Sequence, residues 1–433
     1  MTLAGLGVRR AAYRILRAVQ DGQPFDQALD QAVAELPDAD RRLAHELAAG
    51  VLRHRNDLDA RLQPLVHRGW GSVTPELRDI LRLGVYQLSV LDRVPPHAAV
   101  STTVELARTT LGEKAARFAN AILRGIGGRA APPPRSTDPA AHLADRYSHP
   151  EWLVRRWLAR FGEQETEELL AWNNRRPPLV LQPAREKLEQ LQQRLWEHGV
   201  AAQRAPFDAG LLLESARPAD LPGFQDGAFV VQDGAQALVA RFANCPPGAT
   251  VYDACAAPGG KSIALGHRAA RVLAGELRRD RSRRLAENLR RAGSGREFPV
   301  VASAAAPPCR EVDLVLLDAP CLGTGTFARH PEARWRVRPE ALHRLVDQQR
   351  GLLDGVAPAV RPGGWLVYAT CSLEPEENEA QVNAFLERHP EFSRDPGGAM
   401  PPGLCTTDGD LALLPQRHGV DGAYAARLRR SAA

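Results

Sequence analysis

The chain has 433 residues, 44% of them hydrophobic, and a net charge of +5. That is enough for two or three globular domains with real cores, and the mild positive charge is compatible with a nucleic-acid partner without requiring one. No run approaches the ~20 apolar residues of a membrane span, and residues 1–10 lack a signal-peptide core, so a cytoplasmic protein with no membrane partner is expected.

Residues 1–130 read as one all-helical domain. Val8, Ala12, Ile15, Leu16 and Val19 recur at helical spacing, as do Leu43, Leu47, Val51 and Leu52, then Ile80, Leu81, Val85 and Leu88. Pro24, Pro37, Pro75 and Pro95-Pro96 punctuate the helices, and a last pattern runs from Leu106 to Leu123. This segment holds 18 Lys+Arg against 14 Asp+Glu, so most of the positive excess sits here. A Pro-rich linker is expected at 131–139.

Residues 140–245 read as a helical and small α+β segment. Trp152–Trp172 is amphipathic and predicts one helix, and Lys187–His198 predicts another. Short strands are expected at 179–181, 210–214 and 229–231.

Residues 246–433 alternate strand and helix. Strands are expected at 250–253, 271–276, 299–303, 312–318 and 364–369. Helices are expected at 279–291, 345–360 and 376–389, with a hairpin of 411–414 and 423–428 at the end. That alternation predicts a doubly wound, mostly parallel sheet, whose carboxyl strand ends carry the active site. Eight arginines between Arg278 and Arg296 form a second basic stretch, read either as a solvated helix face or as phosphate contacts.

Of six cysteines, two close strands at the expected active edge: Cys321 in Asp318-Ala319-Pro320-Cys321 and Cys371 in Ala369-Thr370-Cys371-Ser372. Two thiols brought to one edge point to covalent chemistry, with one sulfur attacking and one assisting. Cys245, Cys255, Cys309 and Cys405 read as small buried apolar residues, and no Cys-x-x-Cys pair occurs, so no metal is expected. Upstream, Asp253-Ala254-Cys255-Ala256-Ala257-Pro258-Gly259-Gly260-Lys261 follows a strand and opens a helix. The loop lacks the Gly-x-Gly-x-x-Gly of dinucleotide sites and the full P-loop pattern. Glu276 ends the next strand, where a carboxylate can accept bonds from ribose hydroxyls. S-adenosylmethionine fits such a site, since it offers adenosine and no phosphate. Only Lys114, Lys187 and Lys261 are lysine, which marks the one inside the loop.

Taken together, Asp253–Lys261, Asp318–Cys321, Tyr368–Ser372 with Pro375-Glu376-Glu377-Asn378, and Leu414–Gly422 resemble the motif set of RNA (cytosine-5) methyltransferases. The N-terminal helices, with Asp40-Arg41-Arg42 and Asn120–Arg124, resemble the RNA-binding NusB-like domain, a combination similar to the RsmB/Sun branch. The resemblance implies a class I, Rossmann-like methyltransferase domain behind an all-α NusB-like domain and a small α+β domain. It implies methyl transfer from S-adenosylmethionine to carbon 5 of a cytosine in 16S ribosomal RNA.

It further implies Cys371 as nucleophile, Cys321 as the cysteine that aids product release, Asp318 as a donor near the base if it stays protonated, and Lys261 beside base or cofactor. Cofactor-binding residues would be Asp253, Cys255, Ala256, Ala257, Pro258, Gly259, Gly260, Lys261, Glu276, Ser303 and Asp318. Because DNA cytosine-5 enzymes attack with a Pro-Cys cysteine, the reverse assignment of the two thiols is open. Two positions depart from the family pattern. Glu276 stands where Asp is usual, and Ser303 where a second Asp is usual, which replaces a charge by a hydroxyl. Arg329, His330 and Pro331 resemble a family segment that would contact RNA phosphate, and Trp335 reads as a stacking platform or as core. A tRNA cytosine-5 methyltransferase and a noncatalytic RNA-binding or antitermination protein are the rival expectations; a monomer is expected in each case.

Overall fold

The computed structural model describes residues 5–126, 136–214, 216–397 and 400–432. Residues 131–135 of the expected linker lie outside them. The chain forms two compact units: Met1–Arg175 with Phe327–Arg336, and Arg176–Thr326 with Val337–Ala433. The division at 175/176 runs through the segment that the sequence presents as one piece from 140 to 245.

The first unit is helical. Its seven leading helices are Leu6–Gln20, Phe25–Ala32, Asp38–Arg53, Arg55–Leu62, Pro75–Ser89, Pro96–Leu111 and Glu113–Ile126. Val8, Ala12, Ile15, Leu16, Leu47, Val51, Ile80, Leu81 and Val85 are buried in one core. Each such aliphatic burial contributes about 1.5–3 kcal/mol. The prolines start helices: Pro24, Pro37 and Pro95 precede one, and Pro75 and Pro96 open one, where a missing N–H is harmless.

Two expected single helices are each broken in two. Leu106–Leu123 is interrupted at Gly112 (φ 90°), and Trp152–Trp172 at Gly162 (φ 77°), giving Glu151–Phe161 and Glu163–Asn173. Periodicity continues across both breaks, but a left-handed φ ends the helix, and glycine adopts it without strain.

One buried charge in this unit is matched by two carboxylates. Arg82 donates to Asp59 through Nε and Nη2 at 2.7 Å each, and to Asp79 through Nη1 at 2.9 Å. The segment Phe327–Arg336 is also part of this unit. Arg334 is fully buried and donates to Asn174 Oδ1 (2.6 Å) and Asn173 O (2.8 Å); burial and nearby Arg53 pull its pKa down to about 9. Trp335 donates its indole N–H to Leu52 O (2.8 Å) under the Arg55 guanidinium, so it is packed. His330 is exposed and Arg329 half-buried.

The second unit contains two sheets. In the smaller, β1 (Leu179–Pro183), β2 (Gln203–Arg204), β3 (Leu211–Leu213) and β4 (Phe229–Val231) pair antiparallel in the order β2-β3-β1-β4. The helix Leu188–Glu197 covers it, burying Leu191 and Leu195 beside Leu181, Leu211 and Phe229.

The larger sheet comprises β5 (Thr250–Asp253), β6 (Arg271–Glu276), β7 (Glu297–Val301), β8 (Val312–Asp318), β9 (Val360–Thr370), β10 (Phe392–Arg394), β11 (Leu411–Leu413) and β12 (Ala423–Arg430). Its order is β10-β12-β9-β8-β5-β6-β7, with β11 added to β12. Strands β9, β8, β5, β6 and β7 are mutually parallel, and β12 runs antiparallel beside β9. Alternation along β8 shows why its run 314–317 is apolar. Leu314 and Leu316 join Val251, Leu265 and Val272 on one face, while Val315 and Leu317 join Tyr252, Leu353 and Phe385 on the other. This is the class I methyltransferase topology expected, with both faces covered.

The third strand begins and ends two residues earlier than expected, so Ser303 lies beyond it. The helix expected at 345–360 starts at Pro339 and ends at Val356, leaving Val360 to open β9. No helix among the described residues is long and apolar enough to cross a membrane. Cys245 is buried, but Cys405 is exposed and Cys255 and Cys309 are half-buried. The expectation of four buried apolar thiols therefore fails at Cys405, which bridges Leu411 at the surface.

Candidate active site

Parallel pairing brings the candidate residues to one edge. Asp253 is in register with Leu316 and Ala274, so Asp318 and Glu276 each lie two residues beyond it on the flanking strands. Asp318 pairs with Ala369, two residues before Cys371. The Ala319 N–H donates to Ala369 O at 2.8 Å and carries that alignment past the strand end.

The two cysteines meet. Their sulfurs are 3.2 Å apart, too far for a disulfide and right for a thiol hydrogen bond, and the Cys371 N–H donates to Cys321 Sγ at 3.3 Å. The Cys321 thiol is pushed well above the ordinary range. The hydrogen bond with Cys371 is the first cause, burial the second, and the neighbouring Cys371 and Glu377 charges add to them.

Polar side chains lock the loops that carry these sulfurs. Thr370 Oγ1 donates to Asn378 Oδ1 (2.6 Å), and Asn378 Nδ2 donates to Ser372 O (2.9 Å). The Leu373 N–H donates to Thr324 Oγ1 at 2.8 Å, and the Gly325 N–H to Cys371 O at 3.0 Å. Gly422 N donates to Gly325 O at 2.8 Å, and a Cβ on Gly325 would come within 2.6 Å of Gly422 Cα. Glycine at both positions permits that approach, which gives the C-terminal motif Leu414–Gly422 a place at the site.

Beside the thiols, Lys261 Nζ donates to Asp318 Oδ2 at 2.7 Å and also to Gln236 Oε1. Lys261 is 8% exposed. In this arrangement Asp318 accepts and Lys261 donates, whereas the sequence suggested a protonated Asp318 as the donor. Asp253 is buried, and its Oδ2 accepts from Ser262 Oγ at 2.6 Å while Oδ1 has no partner. Burial pushes its carboxyl up to about 6, against the Ser262 bond and the Lys261 charge. Burial, with the Asp318, Asp253 and Glu276 charges, pushes Cys255 up to about 12, an inert thiol.

The loop between is held from two sides. The Ala256 N–H donates to Gly275 O (2.8 Å), Asn288 Nδ2 donates to Pro258 O (2.9 Å), and Arg281 Nη2 donates to Ala257 O (3.2 Å). The Ala257–Pro258 peptide is cis. Glu276 Oε1 accepts from the Arg278 N–H at 2.9 Å, and Oε2 faces Arg281 at 3.4 Å. Past β7, the Ala302 N–H donates to Glu276 O (3.2 Å), and Ser303 Oγ accepts from the Ala305 N–H (3.2 Å). Every candidate residue thus lies at or just beyond the carboxyl ends of β5 to β9. No group of three or more metal-ligating side chains occurs among the described residues.

Family models match three successive stretches: the NusB family over residues 7–127, an RsmF/B-like ferredoxin-like domain over 149–220, and the 16S rRNA methyltransferase RsmB/F over 242–429. A probable ribosomal RNA small subunit methyltransferase B of Synechocystis is 35% identical over 98% of this chain and 100% of its own. The chain belongs to the RsmB/F family of ribosomal RNA small subunit methyltransferases. The corresponding Vibrio cholerae protein is 33% identical, with 98% of each chain covered. The solved structure of PH0851 matches 99% of this methyltransferase and all of its own chain, with a TM-score of 0.84 and 26% identity. A methyltransferase homologue from Pyrococcus horikoshii shares the fold over 68% of this chain and 99% of its own, with a TM-score of 0.57 and 24% identity.

Several residues of this methyltransferase site escape sequence reasoning. Ser262 follows Lys261 directly and could have been found by that adjacency. Gln236, on the helix Gly234–Phe242, carries no local signal of contact with Lys261. The arginine helix, Arg279–Ala292, combines both expectations: Arg281 holds the loop, Arg291 donates to Phe224 O and Phe229 O (3.0 Å each), and Arg279, Arg283 and Arg284 are exposed.

Proposed function

We infer that this methyltransferase acts on carbon 5 of a cytosine in 16S ribosomal RNA, through a transient bond between Cys371 and carbon 6 of the base. The observation that carries the reading is the thiol pair, two sulfurs 3.2 Å apart at adjacent strand ends beside a lysine–aspartate pair. An enzyme that methylated an exocyclic nitrogen or a ribose oxygen would have no use for two facing thiols there.

Carbon 5 of cytosine is a weak nucleophile. Addition of a thiolate to carbon 6 makes the ring an enamine and gives carbon 5 the electron density it lacks. By the family resemblance Cys371 is the attacking sulfur, and Cys321, hydrogen-bonded to it at 3.2 Å, assists. Negative charge gathers on the ring as the bond forms, and the Lys261 ammonium, held by Asp318, lies at the same edge to stabilise it. After methylation the carbon-5 proton leaves to water, carbon 5 and carbon 6 regain their double bond, and the Cys371 sulfur departs with its electron pair. Cys321 hydrogen-bonds that leaving sulfur.

The residues present suit S-adenosylmethionine. Asp253 has an unpartnered buried oxygen, Glu276 ends β6 with carboxylate lone pairs beside the loop, and the Cys255–Lys261 turn connects them. When bound, that cofactor supplies an electrophilic methyl group on a sulfonium. Ser303 would offer a hydroxyl where the family usually has a carboxylate.

Base access requires the cytosine to be unstacked or flipped out of the RNA. Exposed Arg279, Arg283 and Arg284 are phosphate contacts in this reading, positioning the RNA without reading its sequence. Bisulfite sequencing of ribosomal and transfer RNA, with and without the protein, tests the assignment. One protected cytosine in 16S RNA is expected. Protection confined to tRNA, or none at all, would refute it.

A further inference from the structure

Glu377 has no side-chain exposure, and no cation lies among its partners. Its oxygens accept from the Leu322 N–H at 3.1 and 3.3 Å, from Gln349 Nε2 at 2.9 Å, and from the Ser372 hydroxyl. Gln349 Nε2 also donates to Pro320 O at 2.9 Å, so carboxylate and amide grip both sides of Cys321. The next residue, Asn378, holds Ser372, which follows Cys371. One short turn therefore binds the loop of each cysteine. Burial without a cation is costly for a carboxylate and raises its own pKa. A role beyond packing would account for its presence, since a neutral side chain could fill the space more cheaply.

We propose that Glu377 is a positioning residue for the thiol pair: it fixes the Pro320–Leu322 turn against Cys371 and sets a buried carboxylate on the turn that carries Cys321. The proposal deepens the covalent reading above and rests on it for its catalytic consequence. The ionisable groups around this position are Cys321, Cys371, Glu374, Tyr368 and Asp318, and Tyr368 donates its hydroxyl to Glu377 O at 2.7 Å. Lys261, the cation at this edge, is engaged by Asp318 at 2.7 Å.

Glu377→Gln keeps the shape and removes the charge. Peptide-resolved alkylation of Cys321 by iodoacetamide, in the full-length protein without RNA or methyl donor, should show its pH midpoint falling by about one unit. In turnover the same variant should lose roughly tenfold in kcat with KM little changed, and a protein–RNA adduct should accumulate. Glu377→Asp keeps the charge and shortens the reach. It should leave the alkylation midpoint near wild type while lowering kcat, and it decides the matter if the glutamine variant does not fold. An unmoved Cys321 midpoint in Glu377→Gln, or full kcat in Glu377→Asp, would overturn the proposal. Alkylation is read without catalysis, so the outcome is separable from the covalent reading. If Cys321→Ala gives no adduct while Glu377→Gln still moves the midpoint, the roles assigned to the thiols fail and the positioning stands.

Discussion

In the helical unit, Arg82 is 5% exposed and meets two carboxylates; in the catalytic unit, Glu377 is fully buried and meets only neutral donors and a thiol. Asp253 resembles Glu377, with one oxygen on Ser262 and the other unpartnered. Lys261 is matched, and its partner Asp318 lies at the reactive edge. At Arg82 a buried charge that serves the fold is paired with carboxylates. Where chemistry is expected, charge is left partly uncompensated, and the resulting field acts on neighbouring thiols and carboxyls.

The largest effect is expected in the helical unit. Arg82→Met leaves Asp59 and Asp79 without their buried cation and should destabilise the protein by about 3–5 kcal/mol in denaturant titration. Molecules that remain folded should keep their kcat. In the catalytic unit the consequence reverses: Lys261→Met should cost about a hundredfold in kcat, near 2.7 kcal/mol, with a smaller change in stability. Equal losses of stability from both variants would erase the distinction.

Asp253 sharpens it through pH. The native carboxyl holds its proton up to about 6, while the unfolded one loses it near 3.8. Across that window the native state binds more protons, so its contribution to stability falls as pH rises, by about 2–3 kcal/mol in total. Asp253→Asn should flatten the fall between pH 4 and 6 in free-protein melts. An unchanged slope would mean the carboxyl is ordinary. The smallest effect is expected on the surface. Replacing Arg279, Arg283 and Arg284 by Ala should weaken RNA binding and reduce the log–log salt slope by roughly one per lost phosphate contact, with kcat at saturating RNA unchanged.

Legibility in the sequence followed burial. Strands β5, β6 and β8 are readable to the residue because both faces are covered, so their inner positions are nearly all apolar and an acidic residue ends each run. The edge strands β2 and β10, of two and three residues, carry too little pattern to see. Gly112 and Gly162 break helices whose periodicity continues through them. The segment Phe327–Arg336 lies between catalytic strands in sequence yet belongs to the helical unit, and no local rule announces that. The placement of Cys321, Cys371, Asp318 and Lys261 at one edge was legible, because each lies at a strand end or in the turn after it. The acceptor role of Asp318 was not, since it depends on a lysine 57 positions away in the chain. Glu377 was visible only as part of a motif, and its grip on Leu322 is a tertiary fact.

The central claim is a transient sulfur–pyrimidine bond, and denaturing gel analysis of protein mixed with 16S RNA and methyl donor tests it directly. The account predicts a slow-migrating protein–RNA species for Cys321→Ala, none for Cys371→Ala, and no methylation by the variant with both cysteines changed to serine. Methylation at the wild-type rate by that double variant would contradict it.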